Sequence, residues 1–309
     1  MLELAPLIAF LLIAFSIGSN DTSNSFGICI GCRVLSLRTA TLLLFILAIL
    51  GLFLQGDKVM RTVGKEFVEL SPEISAVAMA ISALMIVSSN LRGFPVSTHQ
   101  VIIGSLAGSA LAYNAGISVF TLLGIIISWI VSPAVAGLIA VSIFMLLEKI
   151  FRVFPLLLVD RVLKAMMLIS AMLIAYNTGA NELATAMAPV IHAGISEKNF
   201  LAFLGAFLLW TGAILLSRRV IETVCKGITA LDPRSGLSAH LGAGIAVLGF
   251  TTIGMPVSTT YAMIGGIASV GFLKGAKAVR VETLKKIIFN WFFAPLSSFF
   301  LSFFVAKML

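Results

Sequence analysis

The sequence predicts an all-α polytopic membrane protein with an inverted-topology internal repeat. The first observation behind this prediction is composition: 60% of the 309 residues are hydrophobic, only 11% are charged, and the mean hydropathy is +1.11. Soluble domains carry about 25% charged residues, and a soluble fold of this length could not bury so much apolar surface. The other two observations are the lengths of the apolar segments and the recurrence of polar motifs at a fixed spacing.

The apolar segments come in lengths that suit a bilayer. A membrane-crossing helix needs about 20 apolar residues, and somewhat fewer where it is broken or tilted. Pro133 either kinks segment 117–147 or divides it into two shorter helices. We therefore expect ten to twelve membrane helices or half-helices. The candidate segments are 4–32, 38–55, 73–91, 94–112, 117–147, 155–193, 199–217, 239–254, 256–273 and 287–308.

Three motifs recur in the same order, which indicates an internal duplication. "IGSNDTSNSF" (17–26) matches "TGANELATAM" (178–187), and "FPVSTHQVIIG" (94–104) matches "MPVSTTYAMIG" (255–265). Both pairs are separated by the same number of positions, which we call the repeat offset. "SWIVSP" (128–133) and "NWFFAP" (290–295) follow with an offset that is longer by a single position. We therefore predict an N-terminal transmembrane repeat over residues 1–150 and a C-terminal one over residues 151–309.

The orientation of the second repeat follows from parity and from loop charge. Five crossings per half is an odd number, so the second copy enters the membrane from the opposite side. The loop 274–286 carries five Lys and Arg residues, whereas its counterpart 113–118 carries none. Basic loops stay on the cytoplasmic side, so these two loops are predicted on opposite sides and both termini outside. Secondary transporters use inverted repeats of this type.

The net charge of +8 and the three cysteines carry no further function. The basic residues cluster in short loops between apolar segments, as the positive-inside rule requires, so the charge does not indicate nucleic-acid binding. Cys29 and Cys32 are interpreted as small packing residues, because no second Cys or His pair lies nearby to complete a metal site. The first apolar segment lacks a basic n-region and a small-residue cleavage site, so no cleavable signal peptide is expected.

The first repeated motif places carboxylates inside apolar segments, where a charged group is expensive. Gly18 and Gly179 are predicted to break or unwind the helix there. Such breaks expose backbone carbonyls, which add to side-chain oxygens as ligands for a hard cation such as Na⁺. One carboxylate per half favours a cation or proton site, and a helix-packing motif with interhelical hydrogen bonds is the alternative. The oxygen-bearing candidates are Asn20, Asp21, Asn24 and Ser25, and in the second half Asn181, Glu182 and Thr185.

The second repeated motif is typical of a helix start that binds an anion. Pro95 and Pro256 suit the first turn of a helix, where a missing N–H group has no consequence. A helix N-terminus presents unpaired N–H groups and the positive end of its dipole. Two such ends, supplied by opposite halves, would form a site for a tetrahedral oxyanion without a buried Arg. Hydroxyl capping without any ligand is the alternative.

The histidines are less informative. His99 stands where the other half has Thr260, so it either tunes anion binding or is a neutral, hydrogen-bonded helix residue. His192 and His240 have no partner pattern and are interpreted as structural.

These motifs resemble those of the inorganic phosphate transporter (PiT) family, which carries a GANDVAN-like and a GFPVSTTH-like motif in each half. Here they read "GSNDTSNSFG", "GANELATAMAP", "GFPVSTHQ" and "GMPVSTTY". The resemblance covers nearly the whole chain and implies phosphate as the anion and Na⁺ or H⁺ as the coupling ion. It implies cation binding by Asn20, Asp21, Asn24, Asn181 and Glu182, with Na⁺, if it is the coupling ion, at Asp21, Asn24, Asn181 and Glu182. It implies phosphate binding by Ser97, Thr98, Ser258, Thr259 and Thr260.

Four positions depart from the family pattern. Glu182 stands where the family usually has Asp, Thr185 where it has Asn, and Tyr261 where it has His, while "STHQ" lacks the second Thr. Some members of the family are assigned to sulfate, so the anion stays open at this point.

The sequence therefore predicts a cation-coupled phosphate symporter of the cell membrane that works by alternating access. No enzymatic activity and no cofactor besides the coupling ion are expected, and the family resemblance suggests a homodimer. The alternatives are a sulfate or other oxyanion permease of the same fold, an uncoupled anion channel, and a membrane receptor or scaffold. The paired acidic residues favour coupled transport over a channel, and the absence of a soluble domain argues against a receptor.

Overall fold

The computed structural model describes residues 4–91, 96–227, 232–275 and 281–309, without the side chains of residues 91, 218–227 and 281–287. These residues are almost entirely helical, which confirms the predicted fold class. Two π-helical turns, Thr62–Glu66 and Thr178–Leu183, continue α2 and α6. The α-helices are α1 Leu4–Gly31, α2 Leu37–Arg61, α3 Pro72–Leu91, α4 Thr98–Ala112, α5 Val119–Phe151, α6 Leu156–Asn177, α7 Ala184–His192, α8 Lys198–Gly227, α9 Pro233–Thr252, α10 Thr259–Lys274 and α11 Val281–Met308.

Six helices in the described part of the chain are long and apolar enough to cross a membrane: α1, α2, α3, α5, α8 and α11. In contrast, α4 and α10 contain only 15 and 16 residues. At 1.5 Å per residue they are about 22–24 Å long, shorter than the roughly 30 Å hydrocarbon core of a bilayer. They pack against α3 and α9 as helical hairpins. The second repeated motif begins each of these short helices.

The repeat is visible in the helices and in their packing. Helices α8, α9 and α10 begin at the repeat offset from the first residues of α2, α3 and α4. The two halves also exchange partners: α1 packs on α8 and α6–α7 on α2, while α4 packs on α11 and α10 on α5. Reciprocal contacts of this kind are what a two-fold axis between two halves produces. The direction of that axis relative to the bilayer, and with it the inversion and the division at residue 150, stays a prediction.

The glycines of the first motif allow close helix packing. A Cβ atom on Gly18 would overlap the backbone carbonyl of Leu209, and one on Gly179 would overlap that of Ala48. These two contacts are related by the repeat offset, so they are a reciprocal pair. The predicted break at Gly18 is wrong, because α1 is continuous from Leu4 to Gly31. Gly179 lies in a π-helical turn, a wider helix that often marks a functional site.

The structure decides between the two alternatives for Pro133: this residue lies inside one long helix, α5, so segment 117–147 is not divided. The prediction for Pro256 is corrected. Pro256 lies before the first turn of α10, because Ser258 is the N-cap residue and the helix begins at Thr259. The Pro256 carbonyl instead accepts a hydrogen bond from Nε1 of Trp129 at 2.8 Å. Pro95 lies outside the described residues.

The glycine packing generates a stability prediction. Gly18→Ala should destabilise the protein by about 3 kcal/mol or more, because a backbone carbonyl cannot move aside as a side chain can. Gly249→Ala is the matched control, since a Cβ atom there meets nothing within 4 Å. The measurement is the thermal unfolding midpoint of each purified variant in detergent. Equal midpoints for the two variants would contradict the close packing at Gly18.

Candidate functional site

The two carboxyl groups predicted from the first motif lie in the same buried region. Asp21 is on α1 and Glu182 is in the π-helical turn after α6, and each is only 4% exposed. They are close enough to repel each other electrostatically when both are charged. Charges interact several times more strongly in a protein interior than in water. The pair therefore requires a bound cation or protons to be stable.

Asn24 joins this carboxyl pair to the second motif. Its Nδ2 group donates to Oδ1 of Asp21 at 3.1 Å and to Oγ1 of Thr260 at 2.9 Å. The first contact is within α1, whereas the second reaches the first turn of α10. A residue from the predicted cation set thus touches a residue from the predicted anion set, so the two predicted sets lie next to each other.

Asn181 fixes the loop that precedes α10. Its Oδ1 atom accepts hydrogen bonds from the backbone N–H of Val257 at 3.1 Å and from Nε2 of His99 at 2.7 Å. Its Nδ2 group donates to Oγ1 of Thr251 at 2.7 Å and to the carbonyl of Met255 at 3.0 Å. All the hydrogen-bonding capacity of this amide is used. In this conformation Asn181 is a clamp with no lone pair left for a cation, and its role as a cation ligand stays a prediction.

The N-termini of α4 and α10 differ in their capping. Ser258 accepts a hydrogen bond from the backbone N–H of Tyr261 at 3.4 Å, whereas Ser97 makes no side-chain cap. The first N–H groups of α4 are therefore left without a side-chain acceptor. Thr98 follows Ser97 as the first residue of α4, and both are buried.

Several buried polar atoms at this site have no hydrogen-bond partner within the described part of the chain. Buried polar atoms are nearly always paired, so unpaired ones need a ligand, an ion or water. Carboxylate oxygens suit a hard cation. Hydroxyl groups can hydrogen-bond to an oxyanion. The unpaired atoms are Asp21 Oδ2, Ser97 Oγ, His99 Nδ1 and Thr185 Oγ1.

Some residues of the site were missed by sequence reasoning. Asn90 accepts a hydrogen bond from Nδ2 of the half-buried Asn20 at 2.7 Å, as Thr251 does from Asn181. Asn90 and Thr251 are themselves separated by the repeat offset, so the duplication could have identified both. His240, interpreted as structural, contacts the carbonyl of Asn24 through Nε2 at 2.7 Å.

Gln100 and Tyr261 form a further contact between the halves. The Tyr261 hydroxyl donates to Oε1 of Gln100 at 2.9 Å, and both side chains are buried. The two residues occupy equivalent positions in the two copies of the second motif. Contact between equivalent residues is what a two-fold relation between the repeats predicts close to its axis, and here it joins the first turns of α4 and α10.

Comparison with known proteins agrees with this geometry. A model of the phosphate transporter family matches residues 17–302. The chain belongs to the phosphate transporter family. It is a multi-pass membrane protein, as the six long apolar helices and the family both indicate.

Individual relatives of this phosphate transporter family member cover nearly its full length. A protein of Methanocaldococcus jannaschii is 35% identical to this chain, and its name proposes phosphate permease activity. The match covers all of this chain and 98% of that protein. The sulfate permease CysP of Bacillus subtilis is 26% identical over 99% of this chain and 88% of its own. A solved structure named as the sodium-dependent phosphate transporter is 25% identical, with a TM-score of 0.83 over 99% of this chain and 98% of that one.

The Asn181 clamp generates a second stability prediction. Asn181→Ala removes four hydrogen bonds and leaves the buried N–H of Val257 and Nε2 of His99 without this partner. Each buried group left unpaired costs about 1–3 kcal/mol, so we expect a total of more than about 3 kcal/mol. Its counterpart Asn20 makes one side-chain hydrogen bond and is half-buried. Asn20→Ala should therefore cost about 1 kcal/mol. Thermal unfolding of both purified variants checks this, and an equal loss would show that Asn181 is not a clamp.

Proposed function

We propose that this chain is a secondary active transporter that takes up inorganic phosphate together with Na⁺, or alternatively H⁺, by alternating access. The observation that carries the proposal is the Asn24 side chain. Its amide bonds at once to the buried carboxylate of Asp21 and to the hydroxyl of Thr260 at the start of α10. A cation bound at the carboxylates would then be connected through one amide to the groups that would bind the anion.

The carboxyl pair makes cation binding a condition for anion binding. Two unneutralised carboxylates would repel an incoming phosphate, and the repulsion is strong in a buried site. A cation held by Asp21 and Glu182 removes this repulsion. Asn20 and Asn24 can add amide oxygens to the cation, and Asn181 can join them only when its clamp opens.

Phosphate would bind between the first turns of α4 and α10. The uncapped N–H groups of α4 suit an anion, as does the positive end of its helix dipole. The hydroxyl groups of the two turns would add hydrogen bonds from opposite halves. These hydroxyls belong to Ser97, Thr98, Ser258, Thr259 and Thr260.

The name of the solved relative, a sodium-dependent phosphate transporter, supports Na⁺ as the coupling ion and phosphate as the substrate. Sulfate is the second candidate, because a sulfate permease is 26% identical over nearly the whole chain. The described site contains no nucleophile–base pair, and the relatives named above are transporters or permeases, so we propose transport without covalent chemistry. We further propose a homodimer in the cell membrane with both termini extracellular.

The cation role of Asp21 can be tested by transport. Asp21→Asn should abolish phosphate uptake driven by a Na⁺ gradient in proteoliposomes, because it removes the unpaired carboxylate oxygen. Asp160→Asn is the control, since Asp160 is exposed and pairs with Lys164 at 2.6 Å, and its uptake should match the wild type. A folded Asp21→Asn protein with wild-type uptake would refute the cation role. Uptake driven by a pH gradient but not by Na⁺ would assign H⁺ as the coupling ion.

The orientation can be tested by cysteine labelling of intact cells. After replacement of Cys29, Cys32 and Cys225, a single cysteine at Asn114 should react with an impermeant thiol reagent. A single cysteine at Lys274, at the start of the basic loop, should stay protected until the cells are opened. Both positions are exposed at the protein surface, so the membrane alone decides their reactivity. Equal labelling of the two positions would contradict the inverted repeat.

A further inference from the structure

We propose that Nδ1 of His99 accepts the proton of hydrogen phosphate and thereby selects phosphate over sulfate. This inference rests on the proposed function and names a specificity-determining residue for it. His99 is the second residue of α4, follows Ser97 and Thr98 directly, and is fully buried.

The orientation of the Asn181 amide is fixed by groups that can play only one role. The Val257 backbone N–H can only donate, so the atom facing it is Oδ1. The Met255 carbonyl can only accept, so the atom facing it is Nδ2. Thus the Asn181 atom that lies 2.7 Å from Nε2 of His99 is an oxygen.

This oxygen decides the tautomer of His99. An acceptor so close to Nε2 requires that Nε2 carry the hydrogen, so in a neutral ring Nδ1 carries the lone pair. A charged ring at 0% exposure would need a carboxylate within hydrogen-bond distance. Glu182 Oε2 is 3.9 Å from Nδ1, which is too far for a hydrogen bond. The ring is therefore neutral, and Nδ1 is an acceptor.

The Nδ1 acceptor is buried and unpaired at the proposed anion site. It has no hydrogen-bond partner in the described part of the chain, and the same holds for Ser97 Oγ. Thr259 lies next to Glu182, which faces the same side of the His99 ring. The hydroxyls can donate to any oxyanion, whereas Nδ1 requires a ligand that brings its own hydrogen.

Phosphate brings that hydrogen and sulfate does not. Near neutral pH phosphate carries at least one P–OH group, which can donate to Nδ1, while sulfate is fully ionised. Bound sulfate would leave Nδ1 unpaired and place an oxygen lone pair against it. A site with a buried unpaired group strongly rejects the ligand that fails to pair it.

The second half has no equivalent of the Nδ1 acceptor of His99. Thr260, at the position equivalent to His99, accepts the hydrogen bond from Asn24, so its own hydrogen stays available for donation. A hydroxyl group can donate or accept and therefore binds either anion. Selection of phosphate over sulfate thus depends on His99 of α4 alone, and Thr260 at the equivalent position of α10 does not contribute to it.

The test uses two amides that each copy one ring nitrogen. In His99→Gln the side-chain nitrogen can replace Nε2 and keep the bond to Asn181, but the acceptor at Nδ1 is lost. In His99→Asn the side-chain oxygen can replace Nδ1. The readout is the ratio of the half-inhibitory concentrations of sulfate and phosphate, measured against radiolabelled phosphate uptake in proteoliposomes with a Na⁺ gradient.

We expect His99→Gln to lower this ratio at least about tenfold while it still transports phosphate. His99→Asn should stay closer to the wild type than His99→Gln does. His192→Gln is the control, because this part-buried ring contacts the Ala188 carbonyl at the end of α7 and none of the proposed site residues; its ratio should be unchanged. If His99→Gln does not fold, His99→Thr, which copies Thr260, should show the same loss of selectivity.

A wild-type ratio in His99→Gln, an equal loss of both anions, or an equal effect of Gln and Asn would overturn the proposal. Anion selectivity is also measured without a gradient, by comparing the shifts in unfolding temperature that phosphate and sulfate produce in detergent. Failure of the proposed function would appear as a wild-type protein without Na⁺-driven phosphate uptake. The gradient-free measurement still tests His99 in that case, so the two failures are distinguishable.

Discussion

Two buried carboxyl groups, which repel each other when both are charged, set the chemistry of the candidate site. Asp21 and Glu182 come from opposite halves of the chain and meet inside an apolar helical protein. A membrane protein tolerates such groups only where a partner neutralises them. Two amides lie beside these carboxyl groups. Asn24 hydrogen-bonds to the carboxylate of Asp21, and Asn181, which precedes Glu182 in the sequence, accepts a hydrogen bond from the backbone N–H of Val257. In the function that we propose, electrostatics at this one place would link cation binding to anion binding.

Close glycine packing brings the carboxyl groups together. Gly18 and Gly179 each lie one helical turn before a carboxylate, and each contacts the backbone of the helix that crosses it. The short helices α4 and α10 then direct their first turns at the same region from the two halves. Movement of one half relative to the other would change these contacts as a unit, because the helices are interlocked. Such packing suits a transporter in which the site is exposed to one side at a time.

Composition and spacing predict much of this arrangement and fail at identifiable points. The helices follow from apolar segments of bilayer length, and the site residues follow from motifs that recur at one constant offset. The role of Gly18 could not be predicted, because glycine suits a helix break and a close helix contact equally well. The Asn181 clamp depends on Thr251 and Val257, which are distant in the sequence, so only the folded chain reveals it. Likewise, α10 starts at Thr259 because Ser258 caps it, whereas Pro256 had indicated an earlier start.

Coupled binding of cation and phosphate at one site can be measured by equilibrium binding of radiolabelled phosphate to the purified protein, in Na⁺ and in choline at constant ionic strength and pH. We expect a higher phosphate affinity in Na⁺ than in choline. Phosphate should also raise the affinity for Na⁺ by the same factor, because linkage between two binding sites is reciprocal. An identical phosphate affinity in Na⁺ and in choline would show that the two ligands do not bind at one coupled site.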